Sequence, residues 1–251
     1  MDAAIWNVIL LVAVFCIFGT QAGGCSGFKM LRKGELSCTE KKIIVDEHNR
    51  LRSAIAMGTV SGQPAASNMM EMVWDDELAY LAQRWANLCN EYHDSDRTVG
   101  RFTIGQNLAL SWTTRNPSSS FDAAPDFVHQ INNWFNEVRR YNPNSINSGT
   151  GHFTQVIWGN TYAVGCGYSY YWDPRRGYTK NYVCNYGPSG NVLGYQPYRT
   201  GKPSCANYGM NWSRLYSGLC CTTRGGYRWL FEVVGDCWRW SEVDEEKDER
   251  N

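Results

Sequence analysis

The sequence predicts an α+β fold in which helices and a small antiparallel sheet pack in layers. Three segments before residue 143 repeat apolar residues at helical spacing, and short runs rich in β-branched and aromatic residues follow them. Helices that precede a small sheet bury their apolar faces by packing against it. The chain has 251 residues, which is long enough for one domain with an appended segment.

Each of the three predicted helices has its own start signal. The first follows the capping-box sequence Ser37–Glu40 and ends near Gly58, the second begins at Asp75, and the third has Pro125 in its first turn and ends at Asn142-Pro143. The predicted buried stripes are Ile44, His48, Leu51 and Ile55, then Leu78, Leu81, Trp85 and Leu88, and finally Val128, Ile131, Phe135 and Val138.

Three antiparallel strands are predicted after the helices. Turn residues at Gly159-Asn160 and at Asp173-Pro174 separate the runs. Cys166 and Cys184 fall on adjacent predicted strands, where a disulfide could join them. The predicted strands are Phe153–Trp158, Val164–Trp172 and Tyr178–Tyr186.

Composition predicts a secreted, disulfide-braced globular protein. Lys and Arg total 24 and Asp and Glu total 24, so there is no basic excess for nucleic acid or for an anionic membrane surface. An apolar content of 43% with 11 Trp and 15 Tyr argues against disorder. Ten cysteines indicate an oxidising compartment.

The first 22 residues resemble a signal peptide. Val8–Phe18 is apolar and uncharged, a length that fits a signal-peptide core and is too short for a membrane span. Small residues place cleavage before Gly23 or before Cys25, and residues 23–37 then form an N-terminal segment. The alternative is an uncleaved anchor. No later stretch is apolar enough to span a membrane, so a soluble mature protein is expected.

Cleavage would leave an odd number of cysteines, so one thiol stays free or pairs between chains. A zinc site made of cysteines is a poor alternative, because there is no C-x-x-C pair and the adjacent Cys220 and Cys221 cannot easily ligate one ion together. The remaining cysteines are Cys25, Cys38, Cys89, Cys166, Cys184, Cys205, Cys220, Cys221 and Cys237.

A boundary is predicted near Gly201-Lys202-Pro203. Residues 204–240 form a cysteine-rich extension that is too short for a large core without disulfides. Asn211 begins the glycosylation sequon Asn211-Trp212-Ser213. Residues 241–251 form an acidic tail, for which a solvated, disordered segment is expected.

Standard catalytic motifs are missing: the sequence has no G-x-S-x-G, no H-E-x-x-H and no phosphate-binding loop. Of the four histidines, His48 lies on an apolar helical stripe and is expected to be a satisfied core residue, while His129 is expected at the surface. His93 and His152 could bind zinc together if the fold brought them close, although nothing local shows that they meet.

Two segments resemble the signature motifs of the CAP superfamily, which unites cysteine-rich secretory proteins, antigen five and plant pathogenesis-related proteins. They are Gly151–Trp158 and Cys184–Asn191. This chain departs from the family's second motif at Asn181, where the family has an apolar residue. The resemblance covers residues 38–203. Further segments resemble the arthropod antigen five branch of venom and saliva allergens: Asp46–Arg52, Val73–Ala79, Gln83–Asn87 and Ile104–Leu110.

The resemblance implies an α-β-α sandwich (the CAP fold) with a cavity over the sheet. The cavity tetrad would be His93, Gln106, Glu137 and His152, with zinc bound weakly by the two histidines and no cofactor required. Many family members have Glu where this chain has Gln106, and an amide can neither ionise nor act as a general base. A hydrogen-bonded polar cluster that holds the cavity's shape is the alternative role.

The family's disulfides transfer in part. The resemblance implies the pairs Cys38–Cys89 and Cys166–Cys184. The cysteine that antigen five proteins carry after the His-Asp pair is missing here, so Cys25 is left without its usual partner or reaches Cys220, Cys221 or Cys237. The segment Gly201–Cys205 resembles the hinge of cysteine-rich secretory proteins, but too few cysteines follow for their full channel-blocking domain.

The function expected from the resemblance is that of a secreted, non-enzymatic venom or saliva protein. It would bind a small hydrophobic ligand, such as a lipid or sterol held between helices, or a host protein, and a monomer is expected. One alternative is a metal-dependent hydrolase that uses the cavity His and Glu residues. Another is an ion-channel modulator that acts through the cysteine-rich extension.

Overall fold

A computed structural model describes residues 25, 27–142, 148–221, 227–234 and 237–244. The predicted signal peptide and most of the acidic tail lie outside these residues, as does the side chain of Cys237. Within the described part, no helix combines the length and the apolar character that a membrane crossing requires.

The structure is a sheet with helices on both of its faces, as predicted. In chain order the elements are β1 (Lys29–Arg32), α1 (Cys38–Ala56), β2 (Val73–Trp74), α2 (Asp76–Ala86), β3 (Gly105–Thr113), α3 (Phe127–Phe135), α4 (Gly151–Val156), β4 (Ala163–Asp173), β5 (Gly177–Gly187), β6 (Asn211–Trp212), β7 (Cys220–Cys221), β8 (Tyr227–Val234) and β9 (Cys237–Asp244).

The central sheet has the strand order β1-β4-β5-β3, with antiparallel neighbours, and β2 runs parallel to β4. The predicted strands Val164–Trp172 and Tyr178–Tyr186 are confirmed as β4 and β5. Strand β3 was not predicted, because its burial falls steadily along its length instead of alternating. Two-stranded pairs form between β6 and β7 and between β8 and β9.

The first two helices begin where their capping residues predict. The Ser37 hydroxyl accepts the Glu40 N–H at 3.3 Å, and the Glu40 carboxylate accepts the Ser37 N–H at 2.8 Å, which completes the capping box of α1. Gly58, with a φ of 68°, lies just after α1. The Asp75 carboxylate caps α2 by accepting the Leu78 N–H at 2.9 Å.

The third helix is shorter than predicted. Asp126 caps it and it ends at Phe135, where the chain tightens into a 3₁₀ segment, Asn136–Arg140. Val128 was placed on the buried stripe, but it is 45% exposed. The buried face is Phe127, Gln130, Ile131, Trp134 and Phe135.

The predicted strand Phe153–Trp158 is wrong, because this segment begins in helix α4. The Glu137 carboxylate accepts the backbone N–H groups of His152 and Phe153 at the start of that helix. Phe153, Val156 and Ile157 are fully buried at the helical spacing of three and four residues. Tertiary burial and an acidic partner therefore override the β propensity of the segment.

Helix α2 packs on one face of the sheet, directly against the backbone of β4. A Cβ atom added to Gly165 would lie 2.2 Å from the Ala79 nitrogen, and one added to Gly167 would lie 2.3 Å from the Gln83 nitrogen. These two glycines therefore allow the close contact. Helices α1 and α3 cover the opposite face, where the side chains of Val164, Cys166 and Tyr168 join the main hydrophobic core.

The cysteine pairing corrects two expectations. Cys89 pairs with Cys25 and not with Cys38, since β1 brings the N-terminal segment beside Tyr171 and the end of α2; Cys38 is in another disulfide. Cys166–Cys184 forms as expected, with a Cα–Cα distance of 4.1 Å.

Cys205 pairs with Cys220, whereas Cys221, placed among the disulfide cysteines, is a free thiol. Successive strand residues point to opposite faces, so Cys220 is buried while Cys221 is half-buried.

The described part of the C-terminal extension is packed onto the domain. Leu219 is fully buried in the main core. The Cys220 N–H donates to the Met69 carbonyl at 2.8 Å, and the Glu71 N–H donates to the Cys220 carbonyl at 2.7 Å. The extension up to residue 221 therefore shares the core of the segment that precedes β2.

Candidate functional site: a paired polar site and an apolar groove

His93 and Gln106 form one pair of the predicted tetrad. The His93 Nδ1 lies 3.0 Å from the Gln106 Oε1, which also accepts the Asp94 N–H at 3.0 Å. The Gln106 Nε2 donates to the Asn185 Oδ1 at 2.9 Å. These contacts orient the amide so that its oxygen faces His93, and the proton of a neutral His93 is therefore on Nδ1.

His152 and Glu137 form the second pair. The His152 Nδ1 lies 2.7 Å from the Glu137 Oε1, while the other carboxylate oxygen accepts the two backbone N–H groups at the start of α4. Trp134 stacks on the imidazole with ring centroids 6.1 Å apart. The carboxylate and the indole thus fix both the tautomer and the orientation of His152.

Asn107, which follows Gln106 in β3, connects the second pair to the core. Its Nδ2 donates to the His152 carbonyl at 3.1 Å and to the Tyr186 hydroxyl at 3.4 Å. The Tyr186 hydroxyl lies 2.9 Å from the His48 Nε2, and the His48 Nδ1 lies 2.8 Å from the Ile44 carbonyl. His48 is thus the satisfied core histidine that was expected.

The electrostatics of this network follow from burial. Burial lowers the pKa of the fully enclosed His48 imidazole to about 4. The same cause raises the pKa of the Tyr186 hydroxyl far above its ordinary range. Both groups are therefore neutral at pH 7, and the network holds its shape through neutral hydrogen bonds.

The two pairs belong to separate hydrogen-bond networks in the described part of the chain. Gln106 and Asn107 are neighbours in β3, so their side chains leave opposite faces of the sheet. No hydrogen bond joins the His93 pair to the His152 pair among these residues, and no group of three or more His, Cys, Asp or Glu side chains is placed to hold a metal there. Asn107 was not singled out from the sequence, although it lies within the family segment Ile104–Leu110.

A groove beside α1 is a second candidate site, which the sequence did not reveal. It encloses ≈ 950 Å³, and its walls come from α1, β2, α3 and the extension. Val128, wrongly predicted as core, is one of its exposed apolar residues. The apolar lining includes Ile43, Val45, Trp74, Val128 and Leu215.

Each described basic side chain that lines the groove forms an ion pair with an acid. Arg50 makes two hydrogen bonds to the Glu47 carboxylate, at 2.6 and 2.8 Å. The ion pairs are Lys41–Asp76, Lys42–Asp46 and Arg50–Glu47.

Glu71 is different, because the carboxylate lines the groove yet is only 7% exposed, and the Oε1 atom has no hydrogen-bond partner. Burial raises the pKa of this carboxyl, and a hydrogen bond from Ser213 offsets part of the rise.

Arg52 fixes the backbone that carries Glu71. The guanidinium is fully buried and donates to the carbonyls of Met70, Val156, Trp158 and Thr161 at 2.7 to 2.9 Å. Burial lowers the pKa of Arg52 to about 9. Because Met70 precedes Glu71, this buried cation holds the backbone at Glu71 in place.

A family model described as "CAP: Cysteine-rich secretory protein family" matches residues 45–186, more than half of the chain. The chain belongs to the CAP family. This CAP protein is 40% identical over 196 residues to "Venom allergen 5" of Rhynchium brunneum, across 73% of this chain and 82% of the relative. It is 36% identical over 223 residues to "Salivary antigen-5" of Dipetalogaster maximus, across 86% of this chain and 88% of the relative.

The solved structure of BmVAL-1 is similar to this CAP protein, with a TM-score of 0.63 and 28% identity, over 77% of this chain and 100% of BmVAL-1. The similarity confirms the predicted CAP fold. The venom and salivary relatives confirm the resemblance to the antigen five branch.

Proposed function

We propose that this CAP protein is a secreted venom- or saliva-type protein that acts by binding a small apolar ligand in the groove beside α1. The observation that carries the proposal is the groove itself. Its volume of ≈ 950 Å³ lies within the range of small-molecule sites, and its lining combines apolar side chains with charged groups that are mostly paired. A host protein that docks on the same surface is the alternative partner.

The polar site supports a non-enzymatic role. Gln106 presents an amide oxygen to His93, where a hydrolase with two carboxylates would need a second acid. Glu137 already accepts hydrogen bonds from His152 and from two backbone N–H groups. Both side chains therefore serve mainly to orient the two histidines.

Three observations support secretion: the disulfides, the apolar run near the N-terminus and the names of relatives. The described residues hold three complete disulfides, which persist in oxidising compartments. The chain begins with the apolar run Val8–Phe18, typical of a signal peptide. The names of two relatives refer to venom and saliva.

The test combines native, non-reducing mass spectrometry with titration. Protein secreted from eukaryotic cells should carry a co-purified apolar molecule or, once stripped of it, bind decanol in calorimetry. Val128→Arg places a large charged side chain in the groove and should weaken decanol binding about tenfold or more. Val192→Arg is the matched control, since the two valines are 45% and 47% exposed. Absence of both a co-purified molecule and decanol binding would refute the proposal.

Zinc binding is a second proposal, which rests on the donor chemistry of the two imidazoles. Each ring uses Nδ1 on a side-chain oxygen, which leaves Nε2 as the metal-binding atom. His93 and His152 would hold the zinc, which would supply Lewis-acid chemistry when bound. His93→Ala should lower zinc affinity in calorimetry, whereas the exposed His129 replaced by Ala should not. Equal affinities in the two variants would exclude this site.

A further inference from the structure

We propose that the ligand of the groove is an amphiphilic amine, whose apolar body lies against Trp74 and Val128 and whose protonated amino group binds Glu71. This inference rests on the proposed function and adds the chemical class of the ligand. It begins from Glu71, the acidic side chain of the groove that has no ion-pair partner among the described residues.

The charges of the groove point to a cation. Lys41, Lys42 and Arg50 each lie in an ion pair, so the described lining offers no free cation to an anionic ligand. Glu71 lies in no ion pair with a described Lys or Arg. Among its described residues, the groove thus carries one carboxyl group without an ion-pair partner.

The described neighbours of Glu71 include a second acid, Asp46. The Tyr216 hydroxyl donates to the Asp46 carboxylate at 2.7 Å, and the pKa of Tyr216 is raised by burial and by the charges of Asp46 and Glu71. The pKa of the Cys221 thiol is also raised, first by burial and then by Glu71, while the charge of Arg214 lowers it. Among the described residues, two acids, two neutral groups and the Arg214 cation therefore lie near this end of the groove.

The unpaired oxygen indicates a missing donor. Three buried polar atoms in the described part have no hydrogen-bond partner, and the Glu71 Oε1 is the one that belongs to a carboxyl group and lines the groove; the others are the Trp134 Nε1 and the Gln155 Nε2. A buried acceptor without a donor is costly, and a charged donor relieves that cost most. An ammonium group supplies both the proton and the opposite charge, whereas a carboxylate would be repelled.

The experiment compares decylamine, decanol and decanoate, which share one alkyl chain, by calorimetry on the mature full-length protein stripped of lipid. The wild type should bind decylamine about tenfold or more tighter than decanol, and decanoate more weakly than either. Glu71→Gln should reduce decylamine affinity to the level of decanol affinity measured in the same variant. Glu77→Gln, at an exposed acid on α2, is the matched control and should change none of the three.

The outcomes separate this inference from the proposed function. Decanol binding that Val128→Arg weakens, without a preference for the amine, would keep the groove as the site and overturn the amine assignment. Failure of all three ligands to bind the wild type would overturn both. If Glu71→Gln does not fold, the wild-type ranking of the three ligands decides alone, and a ranking led by decanol or decanoate overturns the inference.

Discussion

The polar site around His93 and His152 differs from the groove beside α1 in how fully its polar groups are hydrogen-bonded. In the polar site, Gln106 and Glu137 each satisfy several partners, and the histidines are held by them. In the groove, Glu71 keeps a buried oxygen unpaired and Val128 keeps an apolar side chain exposed. Saturated hydrogen bonds fix a shape, while unsatisfied groups leave binding capacity for a ligand.

The largest effect is expected when Gln106, which holds His93, is replaced. Gln106→Leu would leave the Asp94 N–H and the Asn185 Oδ1 unpaired in a buried site. We expect a loss of about 2 to 4 kcal/mol in the free energy of unfolding, measured by urea denaturation. A loss below 1 kcal/mol would show that the pair does not stabilise the fold. Gln83→Leu, at another glutamine of the domain, would then test whether water generally replaces the lost hydrogen bonds of a glutamine.

Acid should weaken the network that connects His152 to the core, through His48. The folded pKa of about 4 lies below the ordinary value of 6.5, so the unfolded chain takes the proton first. The stability contributed by neutral His48 is therefore complete above pH 6.5 and is lost as the pH falls towards 4, by up to about 3 kcal/mol. His48→Gln should flatten the loss of stability in urea titrations over that range.

The control for His48 is the exposed His129. His129→Gln should keep the wild-type loss of stability between pH 6.5 and 4. Equal slopes in the two variants would assign the acid sensitivity to other groups.

Protonation of Glu71 in the groove should change the free energy of unfolding in the opposite sense. Burial raises the pKa of Glu71, so the folded state disfavours the charge and gains stability relative to the unfolded chain as the pH falls. Glu71→Gln should leave the free energy of unfolding at pH 8 unchanged or raise it by about 1 kcal/mol. A large destabilisation would mean that the carboxylate has a structural partner.

The smallest effect is expected at the groove's exposed wall. Val128 is 45% exposed on α3, and Arg has good helix propensity, so Val128→Arg should change the free energy of unfolding by no more than about 0.5 kcal/mol. Thermal denaturation beside Val192→Arg checks this. A loss comparable to that of Gln106→Leu would abolish the contrast between the two regions.

Much of the fold could be predicted from local sequence. Ser37 and Asp75 cap their helices through contacts three residues away, and such contacts depend only on neighbours along the chain. The β4–β5 hairpin follows from two aromatic and β-branched runs around a turn, with Cys166 directly opposite Cys184. The pairing of His93 with Gln106 and of His152 with Glu137 joins residues that the family motifs had already marked.

The sequence by itself thus determined the starts of α1 and α2, the central hairpin, the family and the residues of the polar site. Only the tertiary structure decided that Phe153 lies in a helix, that Cys25 forms a disulfide with Cys89, and that Val128 faces a groove. Each of these depends on partners distant in the chain: the Glu137 carboxylate, the strand β1, and the extension that lies along α1. Burial and pairing across such distances outweigh the local propensities that a sequence displays.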